Sequence, residues 1–292
     1  MDRGYLFHAY NNMEIDYGTM ALCSALLIKK NLRFNQTAIV TTTDTLEWLE
    51  AQHSQDLINR AFDRIILVDR DFDVADRTFR DTRYASKVQP YYNTNRVDSF
   101  NLSPFEETIL IDADYLVLDD SLDSVWGSVE DLMVNRSVRD LRHTFNTAGF
   151  DSRFNEMSIP LYWATVVYFK RTDRAKTMFD LMRFVKENYD YYRNLYQFSS
   201  SGYYRNDYSL SIALHMMNGQ LENETVVSLP FPDIFVATEF DDMVDFKNNQ
   251  AIFLSEFDQG HHRLHKVMTN IHVMNKWSIS RMASRIISYA IS

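Results

Sequence analysis

The chain has little of what marks small secreted, fibrous or membrane-spanning proteins. Among 292 residues there is one cysteine, with 7 glycines and 5 prolines. A single thiol, Cys23, cannot form an intrachain disulfide, and its apolar surroundings (A-L-C-S-A-L-L-I) read as core packing and not as a nucleophile. Collagen-like and disordered compositions are excluded. No segment approaches eighteen consecutive apolar residues, and the first residues, M-D-R-G-Y-L-F-H, lack the uninterrupted apolar stretch of a secretory signal. The expectation is a soluble, cytoplasmic chain. There is no G-x-G-x-x-G, no Walker A loop and no G-x-S-x-G, which removes the usual support for dinucleotide redox, P-loop phosphoryl transfer and serine hydrolysis. Positive charge is also short: the formal net charge is -10, so nucleic acid would need a local basic patch working against long-range repulsion.

What the chain has is core. Hydrophobic residues make up 46% and aromatic residues 14%, with 17 tyrosines and 20 phenylalanines. Strand-like and helix-like segments alternate from the start: a strand over 5–10, a helix over 20–30, a strand over 38–42, helical spacing over 44–60 and a strand over 64–69. A β-α-β-α-β order predicts a mainly parallel sheet with right-handed crossovers and helices on its faces. The polar segment 69–84 reads as a loop or short helix. A helix over 95–103 stops at Pro104, and a strand follows. Residues 135–158 are polar and turn-rich, 161–169 reads as a buried strand, 174–196 as one long helix, and 196–204 as a serine-containing loop. The next helix, from about 207 to 217, takes Asn206 or Asp207 as its cap. A last helix over 278–290 sets Ile279, Met282, Ile286 and Ala290 on one side and docks on the core.

Residues 108–120, T-I-L-I-D-A-D-Y-L-V-L-D-D, carry the clearest chemical signal. A buried strand ends on two carboxylates one residue apart, at the carboxyl edge where open α/β sheets place ligands. In extended backbone Asp112 and Asp114 would share a face about 6.6 Å apart, with Ala113 turned away. Two hard oxygen donors there suit a divalent cation, and a cation there would hold a diphosphate.

In their order, L-F-H-A-Y-N-N, Y-G-T-M-A-L, A-I-V-T-T-T, I-I-L-V-D and I-L-I-D-A-D-Y-L-V-L resemble the GT-A glycosyltransferases, in particular the retaining family 8 that includes glycogenin and bacterial galactosyltransferases. The resemblance implies a GT-A domain over 1–277, with a nucleotide-sugar half over 1–120 and an acceptor side with the third metal ligand over 121–277, followed by a C-terminal helix over 278–292. It implies Mn²⁺ or Mg²⁺ as cofactor, a UDP-sugar as donor, and transfer to an acceptor hydroxyl with retention of configuration. Asp112, Asp114 and His272 would be the metal ligands. Lys276 would contact the diphosphate, although I-H-V-M-N-K-W is two residues shorter than the family's stretch and lacks its glycine and proline. His8, Ala9, Tyr10 and Tyr17 would hold the nucleoside, Ala113 would lie beside the donor, and Arg96, with Lys87 as a second candidate, would reach its phosphate or sugar. Asp207, in N-D-Y, would stand near the anomeric carbon as the catalytic carboxylate. The family's Asn-Ser-Gly is replaced by Trp163-Ala164-Thr165, which leaves the reading of the sugar hydroxyls open and offers Trp163 as a stacking ring.

His261, His262 and His265, the first and last at helical spacing, lack the glutamate of a zinc protease motif and read as a solvated segment. The alternatives are a nucleotidyltransferase and a catalytically silent nucleotide- or carbohydrate-binding protein. Saccharide, protein hydroxyl and, as a minor option, a hydroxymethylated DNA base stand as acceptors.

Overall fold

The computed structural model describes residues 2–12, 14–69, 75–142, 153–154, 159–197, 204–219, 226–231, 233–258 and 260–292. The chain opens with β1 (Arg3–His8), an apolar run buried from Gly4 onward. It is followed by α1 (Tyr17–Asn31), whose N-terminus is capped by Asp16 accepting from the Thr19 amide at 2.9 Å, with Lys29 and Lys30 in the last turn to oppose the helix dipole. Then come β2 (Thr37–Thr41), α2 (Thr43–Gln52), α3 (Gln55–Ala61) and β3 (Arg64–Leu67). The single helical stretch expected over 44–60 is broken because the Ser54 hydroxyl accepts from the Leu57 amide and starts a new helix.

Strands β4 (Ala75–Asp81) and β5 (Ala85–Tyr91) form an antiparallel hairpin where a loop or short helix was expected, the residues 70–74 lying outside the described ones. Local pattern could not announce it, because Phe79 is the only buried side chain described on β4. Tertiary contacts hold the hairpin: Asp81 accepts from Asn275 and Arg281, and the Thr82 amide donates to the Glu239 carbonyl. A 3₁₀ turn (Arg96–Asp98) runs into α4 (Ser99–Leu102) before Pro104, a shorter version of the expected helix.

Next in order are β6 (Glu107–Ile111), β7 (Tyr115–Leu116), β8 (Leu132–Val134), β9 (Val138–Asp140) and β10 (Val166–Lys170). The strand expected from residue 161 begins at 166, because the amides of Tyr162 and Trp163 are taken by Ser211 and by the Asn135 carbonyl. The long helix expected over 174–196 is α5 (Asp173–Glu187) and α6 (Tyr189–Tyr196), broken at Asn188, which leaves helical geometry. The loop expected between them and the next helix falls largely outside the described residues. After it come α7 (Asn206–Met217), β11 (Ile234–Ala237), β12 (Asp242–Lys247), β13 (Gln250–Asp258), β14 (His261–Val267), β15 (Ile271–Val273) and α8 (Lys276–Ile291).

The central sheet has the order β3-β2-β1-β6-β10-β8, and only β10 runs against its neighbours. This is the mainly parallel α/β sheet, flanked by helices, that the alternating elements predict. Alternation along its strands feeds two apolar layers: Phe7 and Ile109 face one with α1 and α8, Leu6 and Leu110 the other with α5 and α7. Cys23 is buried in the first layer, and α8 docks there through Ile279, Ile286 and Ala290. No helix among the described residues is long and apolar enough to cross a membrane.

Besides the β4–β5 hairpin, the described residues form two smaller sheets. In β7-β15-β11-β9, β15 lies antiparallel to β7 with His272 opposite Tyr115. In β12-β13-β14 all pairing is antiparallel. His261 and His265 thus stand four residues apart on a strand, about 13 Å along it, and the helical spacing read from sequence does not apply.

Candidate active site

Strand β6 delivers Asp112 to the carboxyl edge of the central sheet, and the backbone then turns instead of staying extended. The Tyr115 amide donates to the Asp112 carbonyl at 3.1 Å, while the Asp112 amide is held by the Thr165 carbonyl at 3.0 Å. The tight turn corrects the extended geometry expected for the carboxylate pair and lets β7 pair with β15. That pairing brings in the third donor, since the Val273 amide bonds the Asp114 carbonyl at 2.9 Å and His272 sits opposite Tyr115.

His272 Nε2 lies 3.1 Å from Asp114 Oδ2 and 3.9 Å from Asp112 Oδ2. One donor atom from each of the three residues falls within 4.8 Å of the others, and no other such group occurs among the described residues. Two atoms bound to one ion at about 2.2 Å can be at most about 4.4 Å apart, so a cation needs only a small contraction here. Nδ1 of His272 lies 3.2 Å from the Thr165 hydroxyl. A proton on Nδ1 donated to that hydroxyl turns the Nε2 lone pair toward the carboxylates, the orienting arrangement that metal-bound histidines use. Burial lowers the His272 pKa, with Arg77 and Arg96 adding to the effect and Asp112 opposing it, so the ring is neutral and able to bind a cation. Asp112, Asp114 and His272 therefore fit a divalent ion by donor type, burial and spacing.

Cations surround the trio. Arg96, almost fully buried, pairs with Asp112, and Lys276 pairs with Asp114. Lys276 begins α8 directly after the Asn275 cap, and burial pulls its ammonium down to about 7, helped by Arg77 and opposed by Asp112. Arg77 comes from the hairpin, its guanidinium 5.1 Å from the Phe79 ring centre and 5.4 Å from that of Tyr91.

A cleft opens beside the trio. Its walls include Arg77, Arg96, Asp112, Trp163, Arg205 and Asp207. Asp207 is not a cap: Arg205 occupies that position without a side-chain bond, and Asn206 and Asp207 are the first helical residues of α7. The Asp207 carboxylate instead receives the Arg205 guanidinium, Nε to Oδ1 at 3.1 Å, and the Tyr208 amide at 3.2 Å.

The other sequence candidates are placed differently. His8 is buried with Nδ1 3.0 Å from the Tyr10 hydroxyl and Nε2 2.9 Å from Ser99 Oγ. The Ala9 amide and carbonyl are engaged by Val40 and Thr41. His8, Ala9 and Tyr10 all lie outside the cleft lining, as does buried Ala113. Tyr17 opens α1 half-buried against the core, its hydroxyl enclosed and without a hydrogen-bond partner. Lys87 is exposed and pairs with Glu14 at 2.7 Å. Trp163 does line the cleft.

Sequence reading missed Arg77, Tyr91, Arg205 and Met274 as cleft residues. Arg77 and Tyr91 depend on a hairpin that shows no periodicity, whereas Arg205 stands two residues from a singled-out carboxylate and was within reach.

No family model matches the sequence, and no curated protein matches it. Solved glycosyltransferase structures resemble this one weakly. GlyE of Streptococcus pneumoniae TIGR4 is 10% identical with a TM-score of 0.41, over 79% of this chain and 45% of its own. The galactosyltransferase LgtC, solved with donor and acceptor sugar analogs, is 13% identical with a TM-score of 0.43, over 73% of this chain and 70% of its own. Mouse xyloside xylosyltransferase 1 is 11% identical with a TM-score of 0.43, over 77% of this chain and 85% of its own. This chain thus spans less than half the length of GlyE. At such identity and TM-score the likeness carries no argument about function, which rests on the site itself.

Proposed function

We propose that the protein is a GT-A-type glycosyltransferase of the retaining, family 8 kind, which takes a nucleotide-diphosphate sugar, a UDP-sugar by the sequence resemblance, and passes the sugar to an acceptor hydroxyl. The observation that carries the proposal is the meeting of Asp112, Asp114 and His272, from two separated segments, within a nest of cations. Asp112, Asp114 and His272 would hold Mn²⁺ or Mg²⁺. The ion, when bound, supplies Lewis-acid stabilisation of charge growing on the departing diphosphate.

The chain's own groups complete the task. With the carboxylates taken up by the ion, the Arg96 and Lys276 cations that now pair with them would bind phosphate oxygens, and Arg77 would add a third charge. Asp207, held by Arg205, presents a fixed anion that would stabilise positive charge at the anomeric carbon. Tyr17 would contribute to nucleoside binding. Tyr17→Leu should weaken UDP binding by several-fold if the ring stacks on the base; an unchanged dissociation constant returns Tyr17 to the core.

Thermal unfolding with UDP, GDP, ADP and CDP, each with and without Mn²⁺, tests the proposal. At a hundredfold excess over Kd a ligand bound only by the native state adds about 2.7 kcal/mol. A Mn²⁺-dependent shift with UDP supports the donor site. Absence of a shift with all four nucleotides rejects it and favours a catalytically silent use of the fold.

A further inference from the structure

Strand β14 (His261–Val267) is the outer strand of its sheet: β13 pairs with one edge, and among the described residues no strand lies on the other. Seven residues make an edge of about 23 Å. So long an edge templates further pairing, and proteins blunt it with a proline, a bulge, a covering segment or charge. β14 holds no proline, and its register with β13 is regular from His262 to Val267, the one shift falling between Glu256 and Asp258.

What this edge has is charge of one sign. Residues 259–270 contain Arg263, Lys266 and three histidines but no aspartate or glutamate, in a chain whose formal net charge is -10. The acids nearest to it in register or sequence hold arginines of their own. Glu256, opposite His262, pairs with Arg83 at 2.9 Å, and Asp140, next to Leu141, pairs with Arg142 at 3.0 Å. A groove runs along the edge, walled on one side by β14, with exposed Leu264 and Met268, and on the other by Leu141 after β9 and Phe235 of β11. His265 and Val267 share a face with buried Phe253 and Ala251, and His265 Nε2 lies 2.7 Å from Ser255 Oγ. His262, Leu264 and Lys266 form the exposed row on the opposite face.

A strand added here would set alternate side chains beside that exposed row and the others toward Leu141 and Phe235. Acidic residues suit the first set and apolar residues the second. A second copy of this chain, pairing edge to edge, would bring Arg263 and Lys266 against another basic strand, which like charge opposes. A polyanionic glycan or nucleic acid would meet the charges and leave the backbone edge and the apolar walls unused. We propose that β14 is a docking edge for an extended segment of a partner protein in which acidic and apolar residues alternate, the segment joining the sheet as a fourth strand. The proposal goes beyond the transferase reading and does not depend on it.

Fluorescence anisotropy of the whole chain with a labelled peptide of about seven residues, glutamate alternating with valine, tests it. This peptide should bind about tenfold tighter or more than its lysine–valine counterpart, and should weaken several-fold as salt rises from about 0.05 to about 0.5 M. N-methylation of two neighbouring central residues removes one donor from each edge of the peptide without changing its charge, and should cost about tenfold. Arg263→Glu combined with Lys266→Glu should reverse the preference between the glutamate and lysine peptides, an inversion that misfolding alone does not produce. Hydrogen exchange should slow within 261–267 when the glutamate peptide is saturating. Absence of binding, equal binding of the N-methylated peptide, or protection confined to other segments overturns the proposal, equal binding marking the edge as a basic patch without strand pairing. A dimer whose β14 amides are protected without peptide assigns the edge to a second copy and overturns it as well.

Discussion

Replacing Asp114 by asparagine should abolish Mn²⁺-dependent nucleotide binding while leaving a folded protein. Asp114 is buried and touches both His272 and Lys276, so the substitution removes a metal ligand and one negative charge at the same atom. Changing residues that merely support metal ligands costs about 10–100-fold in metal affinity, and losing a ligand should cost about 100-fold or more. The fold survives because the carboxamide keeps the shape of the carboxylate, and because the backbone bond from Val273 to the Asp114 carbonyl does not depend on the side chain. Lys276 would then lack its paired carboxylate, but its ammonium already sits at about 7 and can shed its proton instead of remaining as an unpaired buried charge. A Mn²⁺ titration followed through the UDP thermal shift reads the result. An unchanged titration midpoint would remove Asp114 from the metal site.

The parallel change at His272 is a weaker version of the same test. His272→Ala leaves both carboxylates in place, so the Mn²⁺ requirement should rise without disappearing, and an identical midpoint would argue that the imidazole serves only as a partner for Thr165.

The alternation of apolar segments made the central sheet legible, because buried parallel strands such as I-L-I and Y-L-F must be continuous apolar runs wherever they occur. Breaks within helices were not legible. Ser54 and Asn188 interrupt helical patterns that run through them in sequence, one by a local hydroxyl cap and the other by leaving helical backbone geometry. The β4–β5 hairpin was not legible either, since it is held from outside by Asn275, Arg281 and Glu239. The consequence reached the site, for Arg77 enters the cleft on that hairpin. Asp112 and Asp114 could be named because a strand ends on them, whereas His272 was named only through the family resemblance of the stretch that Lys276 and Trp277 close. That the three converge depends on the β7–β15 pairing, whose two strands lie far apart in sequence and are two and three residues long. Strands so short have no periodicity to read.

His8 should make the protein acid-sensitive in a range where most carboxylates are still charged. Its ring is enclosed beneath the end of β1, and burial, aided by the nearby Arg96 charge, lowers its pKa from 6.5 to about 3. The native state therefore keeps His8 neutral where the unfolded chain takes up a proton. Above pH 6.5 neither state is protonated and the residue contributes no pH dependence; as the pH falls from 6.5 toward 3 the unfolded state gains a proton the native state lacks, and stability drops. One proton difference is worth about 1.4 kcal/mol per pH unit, so the fall from pH 6.5 to 4.5 should cost roughly 2–3 kcal/mol at this one residue. His8→Gln lowers stability at neutral pH by disturbing the bonds to Tyr10 and Ser99, but it should remove this proton from the balance. Urea unfolding of the two proteins at pH 7, 6 and 5 would then give a shallower pH slope for the variant, with the curves converging toward acid. Parallel slopes would mean that the His8 ring takes up its proton in the native state, and its burial would no longer account for acid sensitivity. The ring's own titration by NMR provides the second readout: a midpoint near 6.5 in the folded protein contradicts the enclosed, doubly hydrogen-bonded geometry directly.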